Sequence, residues 1–210
     1  MSRALRHLAL ATASGATAAL AWFAGPAAAA PDRLSLATAW ICFVLLCAAL
    51  AIGPLNVLRR GQPLLNNVLR RDLGIWSGLT GIVHLYAATG VVMSPAYFRD
   101  YITGPPEDPL PGWAGWVGTG SILAGYAIGL LFLWLLAISN DRALRRFGRE
   151  RWKRIQRRAY IVFSLSVAHG VVFQLIEGRH AFWLLVLVAG TLLVVVLQWR
   201  GRRAVGASLG

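Results

Sequence analysis

Two histidines in this chain stand where chemistry is possible. His84 lies twelve residues past Asp72, and His169 lies twelve past Arg157, each inside an otherwise apolar stretch. A histidine in a lipid-embedded helix needs a polar or metal partner, so its presence there points to a function. Twelve residues of helix rise about 18 Å, which puts both rings slightly past the middle of a bilayer core about 30 Å thick. Two imidazoles at one depth can grip one ligand between them, and an iron porphyrin takes histidine as an axial ligand. The neighbours suit such a guest. Gly81 and Gly74 precede His84 on a stripe of small residues, while Ser166 and Phe173 flank His169 at i−3 and i+4. The alternative is that each histidine hydrogen-bonds a neighbouring helix. A bare metal ion is a poorer fit, because no Asp, Glu or Cys lies near that level to complete a shell. His7 belongs to the charged N-terminus and His180 to a short loop with Glu177 and Arg179. No residue is assigned a catalytic role.

The elements that must carry these residues are membrane helices. Of 210 residues, 57% are hydrophobic and 14% are charged, against about a quarter charged in soluble domains. Five stretches are long enough to span a bilayer: Leu36 to Leu58, Asp72 to Met93, Trp116 to Ile138, Arg158 to Ile176 and Ala181 to Trp199. A sixth, Leu8 to Ala24, follows Arg3, Arg6 and His7 and exits through Gly25-Pro26 and four alanines. It reads as a retained first helix, and a charged start with a small-residue exit also describes a cleavable signal. The expectation is therefore an all-α polytopic bundle of six transmembrane helices, five if the first is cleaved. It divides into a first segment over residues 1–30, a helical domain over 36–200 and a cytoplasmic tail over 201–210.

Charge sets the orientation. With six spans and an inner N-terminus, 18 of the 21 basic residues face inward, and only Arg33, Arg99 and Arg179 face outward, beside five of the eight acids. That is the positive-inside bias. It accounts for the net charge of +13 without nucleic acid, and places both termini in the cytoplasm with membrane lipid as the main partner. The segments carrying His84 and His169 then both run outward, in parallel. The inner loop from Ser139 to Arg157, with the Arg158 that follows it, holds nine basic residues against Asp141 and Glu150. Asn140-Asp141 can cap one short helix there, carrying Arg145, Arg149 and Trp152 along the membrane surface. The outer loop from Ser94 to Gly115 is proline-rich and expected to be irregular. Most of the nine tryptophans fall near segment ends, as interfacial anchors do. Cys42 and Cys47, five apart in an apolar stretch, fit neither a redox nor a metal motif and read as inert thiols. Arginine in place of lysine and abundant alanine suggest a bacterial chain, hence the bacterial inner membrane.

Arg70-Arg71-Asp72-Leu73-Gly74-Ile75 leading to His84, with Ser139-Asn140-Asp141 and Trp152 to Tyr160 leading to His169, resembles the ferric reductase-like transmembrane family over about residues 36 to 200. Its relatives include the haem-binding membrane subunit of the periplasmic methionine-sulfoxide reductase system, the metalloreductases and the membrane core of NADPH oxidases. The resemblance implies b-type haem held by the third and fifth helices, with His84 and His169 as the axial ligands of the outer haem. Many relatives carry another histidine 13 residues before the second ligand. Here that place is Gln156, and the third helix offers only Arg70 or Arg71 at the matching level. Glutamine and arginine are poor iron ligands, so one haem is expected. No flavin or nicotinamide module follows within the sequence, so electrons are expected from a cytoplasmic flavoprotein or a membrane quinol. The expected activity is that of a cytochrome b subunit passing single electrons outward to a redox partner on the outer face, rather than that of a complete enzyme. The rival readings are a self-contained quinol or metal oxidoreductase and a haem-free structural or assembly protein.

Overall fold

The computed structural model describes residues 2–24, 30–59, 67–95, 103, 104, 107, 109, 111–177 and 181–206. Among them the chain forms eight α-helices: α1 (Arg3–Ala24), α2 (Ala30–Leu58), α3 (Asn67–Val92), α4 (Gly112–Ala137), α5 (Asp141–Phe147), α6 (Arg149–Gln156), α7 (Ala159–Ile176) and α8 (Ala181–Gly206). Five stretches among the described residues are long and apolar enough to cross a membrane: Asp32–Leu58, Val68–Val92, Gly112–Ala137, Arg149–Ile176 and Ala181–Gly206. The chain is built as a multi-pass membrane protein. The expected sixth span, the first helix, is not among the five. Its middle, from Ala11 to Ala18, consists of Ala, Thr, Ser and Gly and carries no large apolar side chain.

Helices α2, α3, α4 and α7 surround a common interior. Helix α2 packs along α3, α3 along α4 and α4 along α7, while α8 covers α2 and α7, and α1 covers α2 and α3. Phe43, Leu46 and Leu50 of α2, Ile128, Phe132 and Leu135 of α4, Val162 and Phe163 of α7, and Leu187 and Val194 of α8 form the buried core. Lipid is as apolar as these side chains, so close packing rather than escape from water holds such helices together. Two glycines allow that approach. A Cβ on Gly129 would fall 2.5 Å from Leu85 of α3, and one on Gly201 would fall 3.0 Å from Pro54 of α2.

The end of the bundle at which α1 and α3 begin is tied by charge. Asp72, fully buried in the first turns of α3, accepts from Arg6 of α1 at 2.9 Å. Trp76 donates to His7 Nδ1 at 3.0 Å, which leaves Nε2 as the protonated nitrogen, 3.5 Å from the second Asp72 oxygen. The start of α1 therefore lies level with the start of α3. Removing one partner of a buried ion pair leaves an uncompensated charge, at a cost of about 3 kcal/mol. Arg6→Ala should accordingly lower stability against denaturant in detergent by about that much, with Arg6→Lys recovering most of it. An unchanged unfolding midpoint in Arg6→Ala would show that the pair contributes nothing. At the same level Arg71 donates to Asp141. That hydrogen bond and the guanidinium charge hold the Asp141 carboxyl below its usual range. A lowered carboxylate pKa means a tie present at neutral pH and lost as pH falls through the folded-state value.

Three local expectations are corrected. The single inner-loop helix is two, because Gly148, at φ 73°, breaks the run in the left-handed region that favours glycine. Asn140 does cap the first of them, its side chain accepting from the Ala143 N–H at 2.8 Å. Helix α4 begins at Gly112 rather than Trp116, since Pro111, extended at φ −52° and ψ 142°, can precede a helix and lacks the N–H that its interior would need. Of the outer loop before it, residues 96–102, 105, 106, 108 and 110 lie outside the described residues. Helix α8 runs on through Arg200, Arg202 and Arg203 to Gly206, taking in part of the expected tail, while residues 207–210 lie outside the description. Several tryptophans are more than interfacial anchors. Trp152 donates to the Ile138 carbonyl at 2.8 Å, and Trp40 stacks on Trp183 at 4.9 Å.

Candidate functional site

Helices α3 and α7 lie diagonally across the bundle interior, separated by α2 on one side and α4 on the other. They bring His84 and His169 together, with ring centroids 6.4 Å apart and ring planes at 78°. Both rings are half-buried.

Each ring is held by a serine on the adjacent helix. His84 Nδ1 lies 2.8 Å from the carbonyl oxygen of Ser35 and 3.2 Å from its hydroxyl oxygen, near the start of α2. His169 Nδ1 lies 2.8 Å from the carbonyl of Ser121 and 3.2 Å from its hydroxyl, in α4. A carbonyl can only accept, so the proton sits on Nδ1 in both rings. The Nε2 lone pair is then the one suited to a metal. This is the arrangement in which metal-ligating histidines are ordinarily oriented by their surroundings.

The rest of the wall is small or apolar. Phe173 packs against His169 at 4.7 Å. A Cβ on Gly125, one turn past Ser121, would fall 2.9 Å from His169 Cε1. The stripe expected to give a guest room at Gly81 is instead filled by protein: a Cβ there would meet Cys42 and Phe132 at 3.1 Å. Gly81 serves the packing of α2 and α4 on α3, and the glycine that abuts a histidine is Gly125.

The separation of the two rings suits a pair of imidazoles on one iron. Two metal–nitrogen bonds of about 2 Å, each extended by about 1 Å to a ring centre, place the centroids roughly 6 Å apart. The observed 6.4 Å agrees. Among the described residues no group of three or more His, Cys, Asp or Glu could by itself hold a metal ion.

Toward the end of the bundle at which α3 begins, the same four helices border a cavity of about 80 Å³, lined by Leu50, Arg70, Gly74, Phe132, Ser139 and Val162 among others. Gln156 donates to the Ser139 hydroxyl at 3.1 Å on the rim of this region. Among the described residues no histidine lines the cavity. His7 is engaged with Asp72 and Trp76 at the end of the bundle where α3 begins, apart from the pair, and His180 lies outside the described residues. Cys42 and Cys47 are free thiols, with Cys42 buried beside Ser77.

Ser35, Ser121, Gly125 and the Asp72 network were not legible as site or anchor residues. The small residues one turn apart at Ser121 and Gly125 are the only signal in the sequence, and they acquire meaning once α4 is known to lie against α7.

The chain is 27% identical over 167 residues to the protein-methionine-sulfoxide reductase heme-binding subunit MsrQ of Ralstonia nicotianae, a match covering 76% of this chain and 69% of that protein. It is also 29% identical over 138 residues to an uncharacterized protein of Treponema pallidum, covering 64% of this chain and 32% of that one, so the chain spans about a third of that relative's length. No family model matches the chain. No solved structure matches it.

Proposed function

We propose that this chain is a haem-bearing electron-transfer subunit of a bacterial inner membrane, with His84 and His169 as the two axial ligands of one b-type haem. The observation that carries this reading is the pair of imidazoles meeting across the bundle at 6.4 Å, each with its Nδ1 proton committed to a carbonyl. The similarity to a heme-binding subunit supports it independently. A bound haem supplies a one-electron iron couple, and two protein ligands leave no open coordination position, which suits electron transfer rather than substrate chemistry.

The residues of the chain do the remainder. Nε2 of each histidine would hold the iron, Ser35 and Ser121 orient the rings, and Phe173 packs against His169. The charge bias favours the arginine-rich helices α5 and α6 and the C-terminus on the cytoplasmic side, with the N-terminus beside them because α1 begins level with α3, and the histidine pair toward the outer face. Electrons then enter from a cytoplasmic flavoprotein or a membrane quinol and leave to an extracytoplasmic acceptor protein.

The test is vectorial transfer. Vesicles holding the purified chain and trapped ferricyanide, given a membrane-impermeant reductant outside, should reduce the trapped oxidant far faster than empty vesicles. His84→Ala should bring the rate down to that of empty vesicles. Wild type with full haem content yet no faster than empty vesicles would overturn the proposed function.

The cavity headed by Arg70 favours a second reading, in which the chain itself oxidises a quinol at its inner side. Reduction of the purified subunit by a soluble quinol analogue, slowed in Arg70→Leu, is the result that would support it.

A further inference from the structure

The two histidines are held by one device used twice. In each case a serine on the adjacent helix presents both its carbonyl and its hydroxyl oxygen to Nδ1, at 2.8 and 3.2 Å: Ser35 to His84 and Ser121 to His169. This differs from the usual behaviour of hydroxyls in these helices. Thr38, Thr80, Thr89 and Thr191 each donate to the carbonyl four residues earlier in their own helix, the ordinary habit of such residues in membrane helices. The hydroxyls of Ser35 and Ser121 lie instead on an imidazole of a neighbouring helix.

We infer that Ser35 and Ser121 are positioning residues that set the donor strength and the plane of the two axial imidazoles, and thereby the potential at which this chain passes its electron. The inference rests on the haem reading above. The physical argument has two parts. Each acceptor on Nδ1 draws its proton outward and leaves Nε2 more basic, and hydrogen bonding from the surroundings of this kind tunes a bound metal. A more basic Nε2 favours the ferric over the ferrous state and lowers the potential. The carbonyl supplies most of this effect and survives any side-chain change. The hydroxyl adds a second, removable increment.

The other part is orientation. A ring gripped at Nδ1 by two oxygens of one residue cannot rotate freely about its Cβ–Cγ bond. The two clamps, on α2 and on α4, hold the rings at 78° to each other. Near-perpendicular axial imidazoles give low-spin ferric haem a strongly anisotropic paramagnetic resonance signal, whereas parallel ones give a more rhombic signal.

The experiment compares wild type, Ser35→Ala, Ser121→Ala, the double alanine variant, Ser35→Thr and Ser121→Thr, all as full-length chain in detergent. Haem content, midpoint potential and the ferric resonance spectrum are read for each. The alanine variants should keep their haem, because the carbonyl clamp remains. Each should show a midpoint shifted to more positive potential, with a larger shift in the double variant and a less anisotropic signal. The threonine variants, which keep the hydroxyl, should return toward wild type. Haem loss in an alanine variant that the threonine variant reverses would also support the assignment.

Alanine variants with full haem and with midpoint and resonance unchanged would overturn it. Equal haem loss in the alanine and threonine variants would overturn it too, by showing that packing rather than the hydroxyl matters there. A wild-type chain without haem is a separate outcome, because it removes the haem reading itself.

Discussion

Chain carrying His84→Ala or His169→Ala should emerge from haem-sufficient cells without the low-spin haem spectrum of the wild type. Each substitution removes one of two proposed ligands whose ring centres lie 6.4 Å apart, and among the described residues no third histidine lies beside the pair to replace it. The Ser35 or Ser121 clamp would then face a methyl group, and one imidazole would be left to hold the iron. The loss should be nearly complete in either single variant, and the double variant should look like each single one, as expected for groups that act as a unit. His7→Ala is the informative control. It removes a histidine that is hydrogen-bonded and close to a buried carboxylate, so it should cost stability while leaving the spectrum of the bound haem unchanged. Retention of low-spin haem in His84→Ala together with its loss in His7→Ala would show that the interior pair is not the ligand set.

Gly125→Val should be nearly as damaging, although the residue carries no chemistry of its own. A Cβ at Gly125 would lie 2.9 Å from His169 Cε1, closer than such contacts are found. The ring has little room to give way. Its Nδ1 is fixed on Ser121, one turn earlier in the same helix, and Phe173 closes another side at 4.7 Å. Overpacking a tight site costs about 1–3 kcal/mol, and here relief comes by turning the imidazole off its clamp. Haem content should fall severalfold with helix content and membrane insertion preserved. Gly125→Ala should give an intermediate result. Gly120→Val on the same helix, where a Cβ meets nothing within 4 Å, should behave as wild type. Full haem in Gly125→Val would mean that His169 does not need the position it occupies here.

What could be read from the sequence follows from which interactions are local. The histidine pair was legible because depth in a membrane helix is counted along one chain segment, from Asp72 to His84 and from Arg157 to His169. The Asn140 cap was legible because its partner is Ala143, three residues away. The serine clamps were not, because each joins residues nearly fifty positions apart, and neither pairing follows without knowing that α2 lies on α3 and α4 on α7. Asp72 reads in the sequence as an ordinary charge opening a helix. Its burial depends on Arg6, 66 residues earlier. Gly81 illustrates the reverse error. A small residue one turn from a histidine suggests room for a ligand, but the space belongs to Phe132 and Cys42. Gly148 does not read as a break, because the arginines around it favour a helix, and its backbone conformation overrides them.

The central claim, one haem b between His84 and His169, is tested most directly by the reduced-minus-oxidised absorbance spectrum and haem-to-protein ratio of the intact chain in mild detergent. The expected result is a low-spin b-type spectrum at close to one haem per chain. A clean, folded preparation from haem-sufficient cells with no Soret band would contradict the claim, and a ratio near two would contradict its single site.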